Sequence, residues 1–402
     1  MFGNIRRNTV VFIAVCLTVL LFITGCRSTS STDRQEIVVR IESMDSFSKF
    51  GNIKLKIQTR EFMETIGFEY GDAVRVRFLD KDMVLPLVST FSLLDVGETG
   101  ICAEETDQSG QSKEILLFTN LGDFTTRNGI AYKSVNPNGK WFWTLAEGIE
   151  LPIEVTLSLE EKNAFPEYAE KPLAIATSRS DYPHLSDVEF GNIRMVTTPG
   201  FGNCFYRGSS PIDSTFNRNT IVDAAISEIG IEISINLADS QTVAEKTKGF
   251  SDTYYSKTSI LFNEMGVDYR QESFKNGLKM GFKYIADNEG VYYVHCALGK
   301  DRTGIFCAVL EALMGASAEQ VIEDYMKTYD LFYGLQKGSL YDKIADTNIC
   351  NALEELFALD CEFRDVSTEQ LTQAAYGFIR SIGLSDSEIA SLKTNLSRVR
   401  TV

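Results

Sequence analysis

The amino-terminal half of the chain alternates apolar and polar residues with a period of two. Turn pairs such as Gly51-Asn52 and Gly71-Asp72 interrupt this alternation. The pattern is typical of half-buried antiparallel strands joined by tight turns. It predicts a small all-β domain, a barrel or a sandwich, over residues 37–160. The clearest predicted strands are Ile37–Ile41, Ile53–Ile57, Ala73–Phe78 and Met83–Val88.

From residue 161 the pattern changes to strands that alternate with helices. A polar passage that contains proline, Glu160–Glu167, marks the predicted boundary. Because a nearly all-apolar strand needs cover on both faces, the pattern predicts an α/β domain with a mainly parallel sheet flanked by helices over residues 161–402. Ser273 is expected to cap the helix that is predicted at residues 274–286. The predicted strands cover 231–237, 259–265 and 291–295, and the predicted helices 220–229, 274–286 and 305–314.

Composition narrows the partners of the chain. Its 402 residues favour two folded units plus a targeting segment, and the formal charge of −16 makes nucleic acid an unsuitable partner. The eight cysteines show no Cys-x-x-Cys spacing, which argues against a structural zinc site. The oligomeric state does not follow from the sequence.

The first 26 residues have the pattern of an export signal. Arg6 and Arg7 precede an apolar run from Thr9 to Ile23 that is short for a membrane span. The run ends in Ile23-Thr-Gly-Cys26, which resembles the lipobox of bacterial lipoproteins. That resemblance implies a signal with lipobox at 1–26 that is cleaved before Cys26, lipidation of Cys26 and a membrane anchor on the outer face; the alternative is an uncleaved anchor. Residues 27–36 are expected to form a polar linker.

The stretch from Val291 to Gly304 carries the candidate chemistry. An apolar strand leads into His295 and Cys296, and a helix follows the loop. Unpaired N–H groups and the dipole at a helix N-terminus attract an anion. They also favour the thiolate form of Cys296, which is the nucleophilic form. The sequence thus predicts a cysteine-dependent phosphatase that forms a phosphocysteine intermediate.

Other residues of this loop have predicted supporting roles. The planar guanidinium of Arg302 matches two phosphoryl oxygens, and Thr303 can donate a hydrogen bond to the sulfur as it leaves. His295 points away from the thiol along the strand, so we expect it to hold the loop by hydrogen bonds. The remaining loop residues are expected to bind phosphate mainly through their backbone: Ala297, Leu298, Gly299 and Lys300.

The leaving oxygen needs a proton, so the site requires a general acid. Asp268 is the first choice, because it lies in a loop between a predicted strand and a predicted helix, beside the nucleophile in a parallel sheet. Asp301, inside the loop, is the second choice. Asp239 is the third, and a solvated loop carboxylate is the better interpretation for it.

The segment His295-Cys-x-x-Gly-Lys-Asp-Arg-Thr-Gly304 resembles the Cys-x5-Arg-Ser/Thr signature of the protein tyrosine phosphatase superfamily. Its form is similar to the atypical bacterial branch that acts on phosphotyrosine, phosphoserine and phosphoinositides, and the resemblance extends over roughly 185–395. It implies a central sheet of four or five strands, no metal and no cofactor. It also implies Cys296 as nucleophile, Arg302 as phosphate binder and Lys300 as an extra cationic contact. Two further matching segments are Phe205–Pro211 and Ala375–Lys393.

Two departures from the family pattern concern the acid and one substrate contact. Asn236-Leu-Ala238 stands where the family has Asp-Leu-Arg, and no Trp-Pro-Asp triplet is present.

The expected substrate is protein phosphotyrosine, with phosphoserine or phosphothreonine as an extension. Because Lys300 adds positive charge, phosphoinositides or inositol phosphates are the alternative. From another class, a non-catalytic lipoprotein that binds a phospho-ligand is the rival.

Residues 37–160 have a weaker resemblance of their own. Phe50–Leu55, Gly71-Asp72 and Arg127–Ala131 resemble the C-terminal β-domain of the S-adenosylmethionine hydroxide adenosyltransferases. The nucleoside site of that family is shared with a larger domain, so the resemblance implies an accessory or recognition role here.

Overall fold

A computed structural model describes residues 36–104, 113–136, 141–169 and 175–400. Residues 35–402 form one compact unit. The predicted signal at 1–26, the lipidation site Cys26 and the linker up to residue 35 lie outside the described residues, so these remain predictions, as does the boundary at 160–161. Within the described ranges, no helix has the length and apolarity needed to cross a membrane.

The amino-terminal part is built from strands, as the alternating pattern predicts. Eight of its nine strands precede residue 150, and one short helix, α1 (Phe124–Arg127), lies among them. The strands are β1 (Glu36–Ile41), β2 (Ile53–Gln58), β3 (Ala73–Phe78), β4 (Lys81–Val88), β5 (Thr99–Cys102), β6 (Glu114–Thr119), β7 (Ala131–Val135), β8 (Trp141–Leu145) and β9 (Ile153–Glu161).

Seven of these strands form one sheet in the order β1-β9-β3-β4-β5-β6-β2, and β7 and β8 form a separate hairpin. Neighbours pair antiparallel except β4 and β5, which are parallel. In β2 the residues Ile53, Leu55 and Ile57 are buried while the residues between them are exposed. Strands β1 and β2 lie at opposite ends of the order yet contact each other. The sheet therefore curls back on itself around its own apolar core.

The carboxyl-terminal part has a mixed five-stranded sheet in the order β10-β11-β14-β12-β13. Strands β11, β14, β12 and β13 are parallel, and only β10 is antiparallel. The elements are α2 (Asp187–Phe190), β10 (Arg194–Met195), β11 (Phe205–Gly208), α3 (Asn219–Ile229), β12 (Ile233–Asn236), α4 (Gln241–Glu245), β13 (Ser259–Phe262), α5 (Glu272–Asp287), β14 (Tyr292–His295), α6 (Asp301–Met314), α7 (Ala318–Tyr333), α8 (Ser339–Ala345), α9 (Asn351–Phe357), α10 (Thr368–Ser381) and α11 (Asp386–Leu396).

Strand β14 is fully buried because both faces of this sheet are covered. Tyr292 and Val294 pack into the core that includes α5 and α6, whereas Tyr293 packs into the core on the other face, with Val222 and Ile226 of α3. The predicted cover on both faces is therefore present. Cover on both faces explains why the sequence of this strand is an almost continuous apolar run.

The predicted start of α5 was wrong. The helix begins at Glu272 and Gln271 is its N-cap, so Ser273 lies inside the first turn. The carbonyl of Gln271 accepts hydrogen bonds from the N–H groups of Phe274 and Lys275, which starts the helical pattern two residues earlier. Phe274 is fully buried at this first turn. The helix therefore begins without a side-chain cap, since Gln271 makes no side-chain capping bond.

Candidate active site

The loop of residues 296–300 joins the end of β14 to the start of α6. In the parallel sheet His295 is paired with Gly208 of β11 and Asn236 of β12, so the loop leaves the carboxyl edge between two neighbouring strands. Cys296, its first residue, is only 4% exposed. Ligands of open α/β sheets bind at this edge, which makes the loop the first place to look for a site.

The carbonyl groups of the loop point toward the protein scaffold. The carbonyls of Ala297, Leu298 and Gly299 each accept at least one hydrogen bond. The donors lie in β11, in the turn that follows β11, or in the turn that precedes β10. The bonds are Ser210 N to Ala297 O (2.9 Å), Ser209 Oγ and Asn192 Nδ2 to Leu298 O (3.1 and 3.0 Å) and Arg207 Nη2 to Gly299 O (3.0 Å).

Because these carbonyls face the scaffold, the loop can turn its N–H groups toward its own centre. Within the described residues, the N–H groups of Ala297, Leu298 and Gly299 have no hydrogen-bond acceptor in the protein. They lie beside the N-terminus of α6, whose first N–H groups also lack helical partners. The arrangement is suited to an anion with several oxygens.

The guanidinium of Arg302 is oriented by the ends of two other strands. Its Nη1 donates to the carbonyl of Leu237, 3.3 Å away, and to that of Met265, 3.2 Å away. Arg302 is 8% exposed, and in the described part of the chain its other nitrogens have no acceptor. A guanidinium held through one nitrogen keeps its remaining N–H groups available for a bidentate contact with phosphate.

Thr303 follows Arg302 in the first turn of α6. Its side chain is fully buried, and its hydroxyl has no hydrogen-bond partner among the residues that the structure describes. A buried hydroxyl without a partner costs free energy. Thr303 is therefore available to donate to the Cys296 sulfur or to a bound phosphoryl oxygen.

Two glycines are required by close packing around the loop. Gly299 has a φ of +69°, and a Cβ there would collide with the carbonyl of Gly208. A Cβ on Gly304 would meet the ring of Tyr325 on α7. Larger residues at either position would push the loop away from its scaffold.

His295 holds the start of the loop from the opposite face. Its Nδ1 lies 3.1 Å from the carbonyl of Cys296, and its Nε2 lies 3.0 Å from the hydroxyl of Tyr255. Burial lowers the pKa of His295 to about 4, although the hydrogen bond with the Cys296 carbonyl opposes that shift. The ring is therefore neutral at pH 7. Nδ1 carries the proton that it donates to the carbonyl, and Nε2 accepts from Tyr255.

The neutral, buried His295 should make the fold sensitive to acid. Its pKa falls from 6.5 to about 4 on folding, so the unfolded chain binds the proton more tightly. We expect the free energy of unfolding to drop as the pH falls from 6.5 toward 4, by roughly 3 kcal/mol from this residue at full effect. Chemical denaturation of wild type and of His295→Asn at several pH values measures it.

The other histidine supplies the control for this measurement. His184 is exposed. His184→Asn should keep the wild-type dependence of unfolding free energy on pH, whereas His295→Asn should flatten it between pH 4 and 6.5. An equal slope in all three proteins would contradict the assignment.

Lys300 carries a second positive charge into the loop. Its Nζ lies 5.0 Å from the centre of the Tyr329 ring, 3.4 Å from the hydroxyl of that residue and 3.4 Å from the carboxylate of Asp301. Burial is the largest single influence and would lower the pKa of Lys300, but the Asp301 carboxylate and the surrounding tyrosines, Tyr329, Tyr333 and Tyr325, together raise it well above its usual value. Lys300 is therefore charged at neutral pH.

The structure places the three candidate acids differently. Asp301 lies in the first turn of α6 and pairs with Lys300. Asp268 accepts hydrogen bonds from Arg270 N (3.1 Å) and Gln271 Nε2 (3.3 Å), and lies 3.6 Å from Arg127 of α1. Asp239 accepts from the side chain of Asn236 at 3.2 Å. All three lie in segments that follow a strand of the parallel sheet.

A buried ionic cluster behind the loop was missed by sequence reasoning. Arg207, which donates to the loop carbonyl of Gly299, is fully buried and pairs with Asp324 of α7. Arg194 lies 2.7 Å from the same carboxylate. Burial opposes the charge of Asp324, but the two guanidinium groups lower its pKa far below the usual value. Burial and the nearby Asp324 raise the pKa of Glu311 well above normal, so that residue is protonated.

The sequence offered only one signal for this cluster. Arg207 lies in the Phe205–Pro211 segment, which was noted for its family resemblance and not for a role. Asp324 lies 117 residues farther along, on a helix with ordinary amphipathic spacing. Contact between them depends on how α7 packs against the sheet.

Comparisons with known proteins show which family models and relatives the chain is similar to. Residues 213–398, which include the loop, match the family model described as the tyrosine phosphatase family. A tyrosine-protein phosphatase of Nostoc commune is 26% identical over 204 residues, covering 43% of this chain and 69% of that protein. The resemblance of residues 37–160 to the adenosyltransferase β-domain stays a prediction.

Two solved structures are also similar in part. An uncharacterized conserved protein from Thermotoga maritima is 15% identical, with a TM-score of 0.22, over 35% of this chain and 42% of that chain. The core catalytic domain of the PP-IP phosphatase SIW14 from S. cerevisiae is 13% identical, with a TM-score of 0.26, over 41% of this chain and 94% of that chain. Both TM-scores are low, so the assignment depends on the two sequence matches. Those matches identify the chain as a phosphatase enzyme.

Proposed function

We propose that the protein is a cysteine-dependent phosphomonoester hydrolase that acts on phosphotyrosine in proteins. One observation carries the proposal. The carbonyls of Ala297, Leu298 and Gly299 are bonded to the scaffold, and Cys296 and Arg302 lie at the two ends of the loop. A phosphoryl group in that loop would meet backbone N–H groups, a guanidinium and a sulfur nucleophile together.

In the proposed first step, the thiolate of Cys296 attacks phosphorus and an S–P bond forms. The P–O bond to the substrate breaks at the same time, and the leaving oxygen takes a proton from the general acid. In the second step, water attacks the phosphocysteine and the S–P bond breaks. Inorganic phosphate leaves, the acid regains its proton from the water, and Thr303 donates a hydrogen bond to the departing sulfur.

Between the two leading candidates, the contacts favour Asp301 as the acid. The carboxylate of Asp268 already accepts two hydrogen bonds and faces Arg127, so its oxygens are engaged by other residues. Asp301 lies next to the phosphate-binding residues, and in the described part of the chain its side chain pairs only with Lys300. A bound phosphoryl group would compete with Asp301 for the Lys300 ammonium and so leave its carboxyl available to the leaving oxygen.

A second substrate class is favoured by Lys300. This charged side chain lies in the loop with only 13% of its surface exposed. A second cation beside Arg302 is suited to substrates with several phosphates close together, such as phosphoinositides or inositol phosphates.

A substrate panel distinguishes the two classes. Wild type, Lys300→Met and the exposed control Lys337→Met are compared on a phosphotyrosine peptide, a phosphoserine peptide, a phosphoinositide and inositol hexakisphosphate. We expect kcat/KM to be highest on the phosphotyrosine peptide, by at least about tenfold. A preference for either inositol substrate that disappears only in Lys300→Met would overturn this substrate assignment in favour of the second class.

The location of the enzyme is a separate proposal. We infer from residues 1–26 that it is a bacterial lipoprotein, anchored through Cys26 on the outer face of a membrane. The support is the lipobox-like sequence alone.

A further inference from the structure

A segment of the N-terminal β-region lies against the helices of the phosphatase part. This segment, residues 90–97, connects β4 to β5. The backbone carbonyl of Ser92 accepts hydrogen bonds from Thr347 Oγ1 (3.1 Å) and Asn348 Nδ2 (3.0 Å), which lie between α8 and α9. All three residues are buried. The segment is therefore held through its backbone, independently of the Ser92 side chain.

The other end of the segment is held as well. The carbonyl of Val96 accepts a hydrogen bond of 2.5 Å from Arg270, and the Val96 side chain belongs to the apolar core of the phosphatase part. Arg127 of α1 donates to the carbonyl of Gly97 at 2.9 Å. Anchoring at both ends restricts where the Ser92 side chain can lie.

The hydroxyl of Ser92 reaches a residue that contacts the phosphate loop. Its Oγ lies 3.1 Å from the hydroxyl of Tyr329 on α7, and both residues are buried. The same tyrosine hydroxyl lies 3.4 Å from Nζ of Lys300, and the lysine also faces the tyrosine ring. Three side chains thus connect the β-region to the loop that carries Cys296.

The chemistry of the three groups sets the direction of the hydrogen bonds. A charged lysine can only donate, so Lys300 donates to the oxygen of Tyr329. The hydroxyl proton of Tyr329 must then point elsewhere, and Ser92 Oγ, 3.1 Å away, is an acceptor within hydrogen-bond distance. Burial makes an unpaired hydroxyl proton costly, so loss of the serine acceptor would disfavour this orientation of Tyr329.

We propose that Ser92, a residue of the N-terminal β-region, is a positioning residue of the phosphatase site that directs the Lys300 ammonium through Tyr329. The β-region would then take part in phosphate recognition and would not serve as a separate accessory domain. This inference rests on the proposed function of the loop. It does not depend on which phosphomonoester is the substrate.

The test measures steady-state kinetics and phosphate affinity on the full chain. Ser92→Ala removes the hydroxyl but leaves the backbone carbonyl that anchors the segment. We expect KM for a phosphotyrosine peptide, and Kd for inorganic phosphate, to rise roughly 3- to 10-fold, with kcat nearly unchanged. Tyr329→Phe, which keeps the ring, should show the same change, and Ser92→Thr should restore wild-type values.

The matched control is Ser89→Ala. Ser89 is a buried serine close to the same segment, and its hydroxyl has no hydrogen-bond partner in the described part of the chain. Its removal should leave KM and Kd within about twofold of wild type. An effect of Ser89→Ala equal to that of Ser92→Ala would show a general packing effect and overturn the proposal.

Coupling to Lys300 gives the decisive readout. In a Lys300→Met background, Ser92→Ala should change KM and Kd by less than about twofold, because the group it directs is gone. Full additivity of the two changes would overturn the inference while the phosphatase function stands. If wild type released no phosphate from any substrate, the proposed function would fail, and the phosphate Kd values would still decide the inference.

Discussion

Replacing Cys296 by serine should abolish phosphate release, with a loss of roughly 10⁴-fold or more in kcat. A serine hydroxyl is almost wholly protonated at neutral pH, and it is a far weaker nucleophile than a cysteine sulfur. The side chain is nearly isosteric, so the backbone N–H groups and Arg302 should still bind the substrate. The measurement is release of inorganic phosphate from a phosphotyrosine peptide, with acid quenching to trap the phosphorylated protein.

The exposed Cys361 provides the control for thiol chemistry in general. Cys361→Ser should keep full turnover and should still yield one trapped phosphoryl group per chain. Cys296→Ser should yield none. A trapped phosphoryl group in Cys296→Ser, or turnover close to wild type, would rule out the proposed nucleophile.

Replacing Asp301 by asparagine should produce the second largest loss. Without a general acid the leaving oxygen departs as an anion, which is costly for a phenolate such as that of tyrosine. We expect kcat on phosphotyrosine to fall about 10²- to 10³-fold. On an activated aryl phosphate, whose leaving group needs no proton, the fall should be less than about tenfold.

Asp268→Asn is the matched comparison for this result. Because Asp268 is held by Arg270, Gln271 and Arg127, its replacement should affect both substrates by a similar, smaller factor. If Asp268→Asn showed the strong dependence on the leaving group and Asp301→Asn did not, the acid would be Asp268, the first choice from the sequence.

Local pattern was enough to predict several of the strands and helices. The alternation in 53–57 is the alternation of buried and exposed side chains observed in β2. The apolar run before His295 is the fully buried central strand β14. Such features depend on neighbours in the chain, so they can be read from the sequence. The start of α5 was predicted two residues late, because its N-cap, Gln271, makes no side-chain capping bond and so leaves no cap signal in the sequence.

The loop chemistry was also readable, because its parts are consecutive. Cys296, Arg302 and Thr303 lie within eight residues of one another, and a strand followed by a helix brings them around one point. Order along the chain is enough to predict such a site. Position along the chain could not rank the candidate general acids. The partners of Asp268 include Arg127, which is 141 residues away in the β-region.

The sequence by itself determined the type of fold in each half and predicted which residues form the candidate phosphate loop. Only the tertiary structure decided what surrounds that loop: the buried pair of Arg207 with Asp324, the hydrogen bond of His295 with Tyr255, and the path from Ser92 through Tyr329 to Lys300. The physical reason is sequence separation. Hydrogen bonds and ion pairs between distant segments depend on how helices and sheets pack, and no local pattern in the chain encodes that packing.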